Sequence, residues 1–329
     1  MSSLLFISFL LTTSCVFGRN VHAVTHRDLR ELFERFKHKY SKAYLNVTDE
    51  EKRYGIFRDN LLRIEELQKH EKDTAKYGIT KFTDLTTEEF SARFTNAHFN
   101  KMTRELKIAK RVELPEALPS FDWREKGAVT PVEDQGSCGS CWAFSVAGNI
   151  EGQYYLNGGN LTSLSKQQLI DCDQLDDGCA SGYPFQTYGE VIRMGGMVSA
   201  VDYPYLGGES QCRLNVSQIL VKLGGALFLP TDEKYQAKYL QQHGPLSVGL
   251  DAKLLQFYQN GIFNPPASRC SSYHLNHAVL TVGFGKEKGI PFWIVKNSWG
   301  SDWGEDGYFR IRRGRGTCGI NQVVTTSFI

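Results

Sequence analysis

The chain has 329 residues, 41% of them hydrophobic, and a formal net charge of +2 at pH 7. That length supports two or three domains with a sizeable core. The near-neutral charge argues against a nucleic-acid polyanion as partner. Charge is unevenly divided. Residues 19–117 carry 21 Lys/Arg against 17 Asp/Glu, whereas 118–329 carry 17 against 19. Seven of the eight cysteines lie in the second part, and Cys15 is the exception.

Residues 4–17 form an apolar run, long enough for a signal-peptide core and too short for a membrane span. Residues 1–18 are therefore read as a signal peptide, and the destination is the secretory pathway, either a lysosome-like compartment or the outside of the cell. Its removal leaves seven cysteines. In an oxidising compartment an odd number predicts three bridges and one spare thiol, with Cys141 the natural spare. Three glycosylation sequons, at Asn46, Asn160 and Asn215, agree with export. No later segment is apolar enough to span a membrane, so the mature protein is expected to have no membrane partner.

Residues 26–40 place Leu29, Leu32, Phe33, Phe36 and Tyr40 at helical spacing. Thr48-Asp-Glu-Glu51 has capping-box spacing and predicts the start of a second helix, with Tyr54, Phe57, Leu61 and Ile64 on one face. Tyr77–Asp84 alternates enough for a short strand. Thr86-Thr-Glu-Glu89 predicts a third capped helix containing Phe90 and Phe94. Residues 95–117 are polar and unpatterned, as suits an exposed, cleavable linker.

Residues 118–195 read as helical, and the remainder as β-rich. Within the helical part, Gln135-Gly-Ser-Cys-Gly-Ser-Cys141-Trp142 is a Gly/Ser loop running into an apolar helix. It puts Cys141 in a first turn, where unpaired N–H groups and the helix dipole favour a thiolate. The same Cys-x-x-Cys could be redox-active or half a zinc site. The chain has no second Cys-x-x-Cys, which disfavours zinc, so no metal ligands are predicted. Further on, Ala278–Phe284 and Pro291–Lys296 read as strands flanking a turn at Gly285–Gly289. A hairpin centred on Glu287 sets His277 opposite Asn297. Cys141, His277 and Asn297 then supply a nucleophile, a base and a group that orients the base.

Gln135, Cys138-Gly-Ser-Cys141-Trp142, Leu275-Asn-His277-Ala and Asn297-Ser-Trp-Gly300 resemble the papain/cathepsin cysteine proteases, and the resemblance covers nearly all the chain. It implies an α+β fold of the papain-like two-domain type, a helical half and a β-barrel-like half with the cleft between them. Residues 19–117 would be an inhibitory propeptide of the I29 type and 118–329 the mature peptidase. Arg53, Phe57, Asn60 and Ile64 match the family's prodomain motif, with leanings to both cathepsin F-like and cathepsin L-like members.

The resemblance further implies disulfides Cys138–Cys179, Cys172–Cys212 and Cys270–Cys318. It makes the Gln135 amide and the Cys141 N–H the oxyanion hole, and Trp299 a shield over the His277–Asn297 bond. Gly182 aligns with the glycine whose backbone pairs with substrate. Tyr183, Pro184, Gly249, Ala252, Leu275, Ala278 and Val323 align with the walls and floor of the main specificity pocket, none of them charged, so an apolar residue at P2 is expected. The implied activity is endopeptidase hydrolysis of proteins and peptides without a cofactor, by a monomer made as an inactive precursor. Its partners would be its own propeptide as intramolecular inhibitor and cystatin-type inhibitors. Two rival readings are a catalytically dead decoy and a thiol–disulfide exchange enzyme, the latter needing Cys138 and Cys141 bonded to each other.

Overall fold

The computed structural model describes residues 26–95, 97, 99 and 109–329. The expected signal peptide, and part of the expected linker, lie outside the described residues. The elements in chain order are α1 (His26–Lys39), α2 (Val47–His70), β1 (Lys76–Tyr77), α3 (Thr87–Phe94), β2 (Phe121–Asp122), α4 (Cys141–Leu156), α5 (Lys166–Cys172) and α6 (Pro184–Arg193). They continue with β3 (Gly225–Phe228), α7 (Glu233–His243), β4 (Leu246–Leu250), β5 (Tyr258–Asn260), β6 (Ile262–Phe263), β7 (His277–Glu287), β8 (Ile290–Lys296), β9 (Tyr308–Arg312) and β10 (Val324–Phe328).

The N-terminal part is helical because its aromatic residues recur at helical spacing and find one another. Phe36 of α1 meets Phe57 of α2 at 5.0 Å between ring centroids, and Phe33 meets Tyr54 at 5.4 Å. The expected start of α2 is corrected. Asn46, not Thr48, is the cap, its side-chain oxygen accepting from the Asp49 N–H at 2.9 Å. An Asn with extended backbone competes well for that position, and it lengthens the helix at its start. The capping box at Thr86 and Glu89 forms as expected, with both reciprocal bonds present.

The expected strand over 77–84 is also corrected, since only Lys76–Tyr77 is strand. The hydroxyl of Thr83 accepts from the Thr80 N–H and donates to the Thr80 carbonyl, which bends the chain into a turn that a strand cannot contain. Lys76–Tyr77 pairs antiparallel with Tyr258–Asn260, so the N-terminal part adds a strand to the following domain.

The C-terminal part has a helical half and a sheet half. The main sheet runs β3-β10-β4-β7-β8-β9-β6, with β2 paired to β7. α4 runs through Gly148 and Gly152 to Leu156. A Cβ at Gly148 would lie 3.0 Å from Leu280, and one at Gly152 2.9 Å from Pro245, so the glycines let the helix lie close on the sheet half. Cys138–Cys179 and Cys172–Cys212 tie the helical half, and Cys270–Cys318 the other.

The β7–β8 hairpin forms, in a different register from the one expected. Its turn is Lys288-Gly289, both at positive φ, and Glu287 pairs with Ile290. A register shift between Thr281 and Gly283 then brings Leu280 opposite Lys296. His277 therefore pairs across to Leu250 of β4, and Asn297 lies just past the end of β8. A two-residue turn with left-handed residues matches the strand twist better than the wider turn assumed from composition.

Candidate active site

Ser140 precedes α4, and Cys141 opens the helix, fully buried and in no disulfide. Cys138 is bonded to Cys179, so Cys138 and Cys141 are not a redox couple in this structure. His277 begins β7, which crosses behind α4, where the Ser145 hydroxyl donates to the Val279 carbonyl at 2.6 Å. Despite the register, the His277 and Asn297 side chains meet: Nε2 lies 2.8 Å from Asn297 Oδ1, and the Ser298 N–H donates to the same oxygen. An oxygen that already accepts requires the proton on Nε2, leaving Nδ1 as the basic nitrogen. Nδ1 is buried and has no hydrogen-bond partner. Trp299 stacks on the imidazole, 4.7 Å between centroids at 24°. Burial pushes the His277 pKa down to about 4, opposed in part by the bond to Asn297.

Gln135 is fully buried on the loop before Cys138. Its Nε2 donates to the Cys138 carbonyl at 2.9 Å and its Oε1 accepts from the Ser298 hydroxyl at 2.6 Å. An amide nitrogen carries two protons, so a second N–H is available for a developing negative oxygen. Among the described residues no group of His, Cys, Asp or Glu side chains could hold a metal ion.

The cleft is filled by the chain's own N-terminal part. Ala97 bridges Gly182 in parallel sense, and its N–H donates to the Asn276 carbonyl at 3.0 Å. Phe99 enters an apolar cluster with Cys141, Tyr183, Leu275, Ala278 and, at its edge, Val323. A Cβ at Gly249 would sit 2.6 Å from the Phe99 ring, and one at Gly182 2.3 Å from Trp142, so neither position has room for a side chain. Pro184 is buried as the first residue of α6. Ala252 is placed elsewhere, in the core of the sheet half, where its N–H donates to Asn276 Oδ1. Besides Ala97 and Phe99, two further cluster members were not anticipated. Phe228 of β3 and Phe185 of α6 meet at 4.2 Å. Phe185, three residues after Gly182, was open to detection by proximity, whereas Phe228 reads in sequence as ordinary strand core.

Above the cleft, Phe82, Phe90 and Phe94 surround Trp299, with Phe82 and Phe90 edge-on to the indole at 5.5 and 5.2 Å. Thr80 Oγ1 donates to the Gln256 carbonyl at 2.6 Å, and Gln256 Nε2 donates back to the carbonyls of Phe82 and Leu85. The sequons at Asn46, Asn160 and Asn215 are all exposed. No helix among the described residues is long and apolar enough to cross a membrane.

Residues 117–328 match the papain family cysteine protease profile, and residues 33–90 match the cathepsin propeptide inhibitor domain (I29). Cathepsin F of Mus musculus is 42% identical over 299 residues, covering 91% of this chain and 64% of that protein, so the chain spans less than two thirds of that relative. Cysteine proteinase 1 of Dictyostelium discoideum is 39% identical over 347 residues, covering 98% of each chain. Among solved structures, the digestive procathepsin L 3 of Tenebrio molitor larval midgut superposes with a TM-score of 0.81 at 37% identity, covering 92% of this chain and 99% of that one.

Proposed function

The chain belongs to the papain family of cysteine proteases and carries a cathepsin-type inhibitory propeptide, and from that premise we propose an endopeptidase working through Cys141, His277 and Asn297 with an apolar preference at P2. The observation that carries the catalytic reading is the His277–Asn297 bond beneath Trp299, which commits Nε2 and reserves Nδ1 as the base. In the reaction, the Cys141 thiol gives its proton to His277 Nδ1, and the thiolate sulfur bonds to the scissile carbonyl carbon while the C=O π pair moves onto oxygen. The Cys141 N–H and the second Gln135 N–H receive that oxyanion. His277, as imidazolium, gives its Nδ1 proton to the leaving amine as the C–N bond breaks. The same nitrogen then takes a proton from the water that hydrolyses the thioester. Asn297 keeps the proton on Nε2 and the ring in one orientation throughout.

Phe99 supports the P2 reading, because the chain's own blocking segment puts a large apolar ring into the pocket of Tyr183, Gly249, Leu275, Ala278 and Val323. Residues 1–18 as signal peptide, 19–117 as propeptide and 118–329 as mature enzyme complete this reading, as do glycosylation at the three sequons and action as a monomer open to cystatin-type inhibitors. The three disulfides support export to an oxidising compartment. The decisive experiment is Cys141→Ala. It should abolish turnover of a fluorogenic peptide without lowering the thermal midpoint by more than a few degrees, since Cys141 forms no bridge. Retained peptidase activity in the pure variant would sink the mechanism.

A further inference from the structure

The two oxyanion donors come from separate segments, the loop at Gln135 and the first peptide of α4, and no covalent bond fixes their spacing. Beside the Gln135 Nε2–Cys138 carbonyl bond, one hydroxyl bridges the two segments. Tyr205 Oη donates to the Gln135 carbonyl at 2.7 Å and lies 2.9 Å from Ser140 Oγ. The lone phenolic proton is taken by the Gln135 carbonyl, so the Ser140 hydroxyl is the donor in the second bond. Burial holds the Tyr205 pKa up at about 12, so the phenol keeps its proton. Ser140 is fully buried, and its peptide link to Cys141 carries one of the two donor N–H groups. Tyr205 is itself braced. Its ring meets Phe144 edge-on at 5.1 Å, and the next N–H, of Leu206, donates to Gln167 Oε1 at 2.8 Å.

We propose that Tyr205 is a positioning residue of the oxyanion site, its hydroxyl holding the Gln135 loop and the Ser140–Cys141 peptide at the separation the oxyanion requires. This rests on the catalytic reading above. Tyr205 hydrogen-bonds the Gln135 carbonyl and the Ser140 hydroxyl, and acts through the two donors. Its loss should therefore weaken binding of the tetrahedral state while leaving the thiol's own reactivity alone.

The test compares wild type, Tyr205→Phe and Ser140→Ala, each made as the full-length precursor and converted by an added aspartic protease, so that conversion does not depend on the variant's own activity. Tyr205→Phe keeps the ring against Phe144 and removes only the hydroxyl. The expected result is a fall in kcat of about tenfold with KM within about twofold, milder than the 10²–10³ that follows loss of an oxyanion donor itself. A peptide aldehyde, which adds the cysteine sulfur to its carbonyl and leaves an oxygen in the same place, should lose affinity by the same factor. The rate of Cys141 alkylation by iodoacetamide, which forms no oxyanion, should not change. Ser140→Ala should show the same split if Tyr205→Phe does not fold. Unchanged kcat and aldehyde affinity would overturn the proposal, as would an alkylation rate that falls in parallel. If alkylating Cys141 in the wild type left activity intact, the catalytic reading itself would fail, a result distinct from either.

Discussion

At the scale of single residues, the strongest constraint is the environment of His277. With Ala97 and Phe99 in the cleft its ring is fully buried, and its pKa falls to about 4 from an ordinary 6.5. A depressed value means that the closed form holds neutral His277, whereas an opened form takes up a proton. Closure is thus strongest above pH 6.5 and weakens as pH falls from 6.5 towards 4. In a Cys141→Ala precursor, which cannot process itself, the thermal midpoint should drop across that window, and His277→Leu should flatten the drop. An unchanged profile in the double variant would assign the acid response to other groups. Val323 lies at the edge of the Phe99 pocket. Val323→Glu should let the mature enzyme accept Arg at P2 by supplying a countercharge, read as the Arg-to-Leu ratio of kcat/KM. If the ratio does not move, Val323 does not face the P2 side chain.

At the scale of elements, α2 shows how a local signal can be read two residues out of place. Thr48 and Glu51 have the spacing of a capping box, yet Asn46 takes the role. The sequon at Asn46-Val-Thr48 overlaps that cap, which allows the two functions to be separated. Thr48→Ala removes the sequon and keeps the cap, Asn46→Asp does the same, and Asn46→Ala removes both. Only Asn46→Ala should speed precursor conversion at neutral pH, because losing a cap costs about 1 kcal/mol of helix stability. Equal acceleration by all three would point to the glycan instead. In the β7–β8 hairpin the composition located the turn region but not its register, which the two-residue turn at Lys288-Gly289 sets and the bulge between Thr281 and Gly283 shifts by one residue.

At the scale of the whole molecule, the charge division suggests a cationic propeptide on an anionic enzyme, whose salt-sensitive pairing would control release. The ion pairs across the boundary run both ways. Lys81 bonds Asp134 and Asp302, and Arg111 bonds Asp232, while Glu66 meets Arg269, Asp73 meets Arg312 and Glu116 meets Lys238. Most of these have an exposed partner and contribute little each. The larger contribution comes from Phe82 and its neighbours on Trp299, whereas Phe57 lies within the propeptide's own core with Phe33 and Phe36. Phe82→Ala should weaken closure by about 3 kcal/mol, and Lys81→Ala by less than about 1. Conversion at neutral pH should therefore respond strongly to Phe82→Ala and only slightly to salt. A larger effect of 0.5 M NaCl than of the Phe82 substitution would return control to charge.

The sequence by itself placed Cys141 at the start of its helix and marked it as the cysteine outside the three bridges, because the first is written in contiguous residues and the second in a count. It also brought His277 and Asn297 together, although through a pairing that the hairpin does not use. Those side chains meet because both lie at the same end of neighbouring strands, and that end is insensitive to a slip of two or three positions. Only the tertiary structure decided which residues close the pocket, since Phe228 and Phe185 come from a strand and a helix 43 positions apart and carry no mark of it in sequence. The same holds for Phe99, which sits in a stretch without pattern. Its place is set by the shape of a cleft built entirely from later residues.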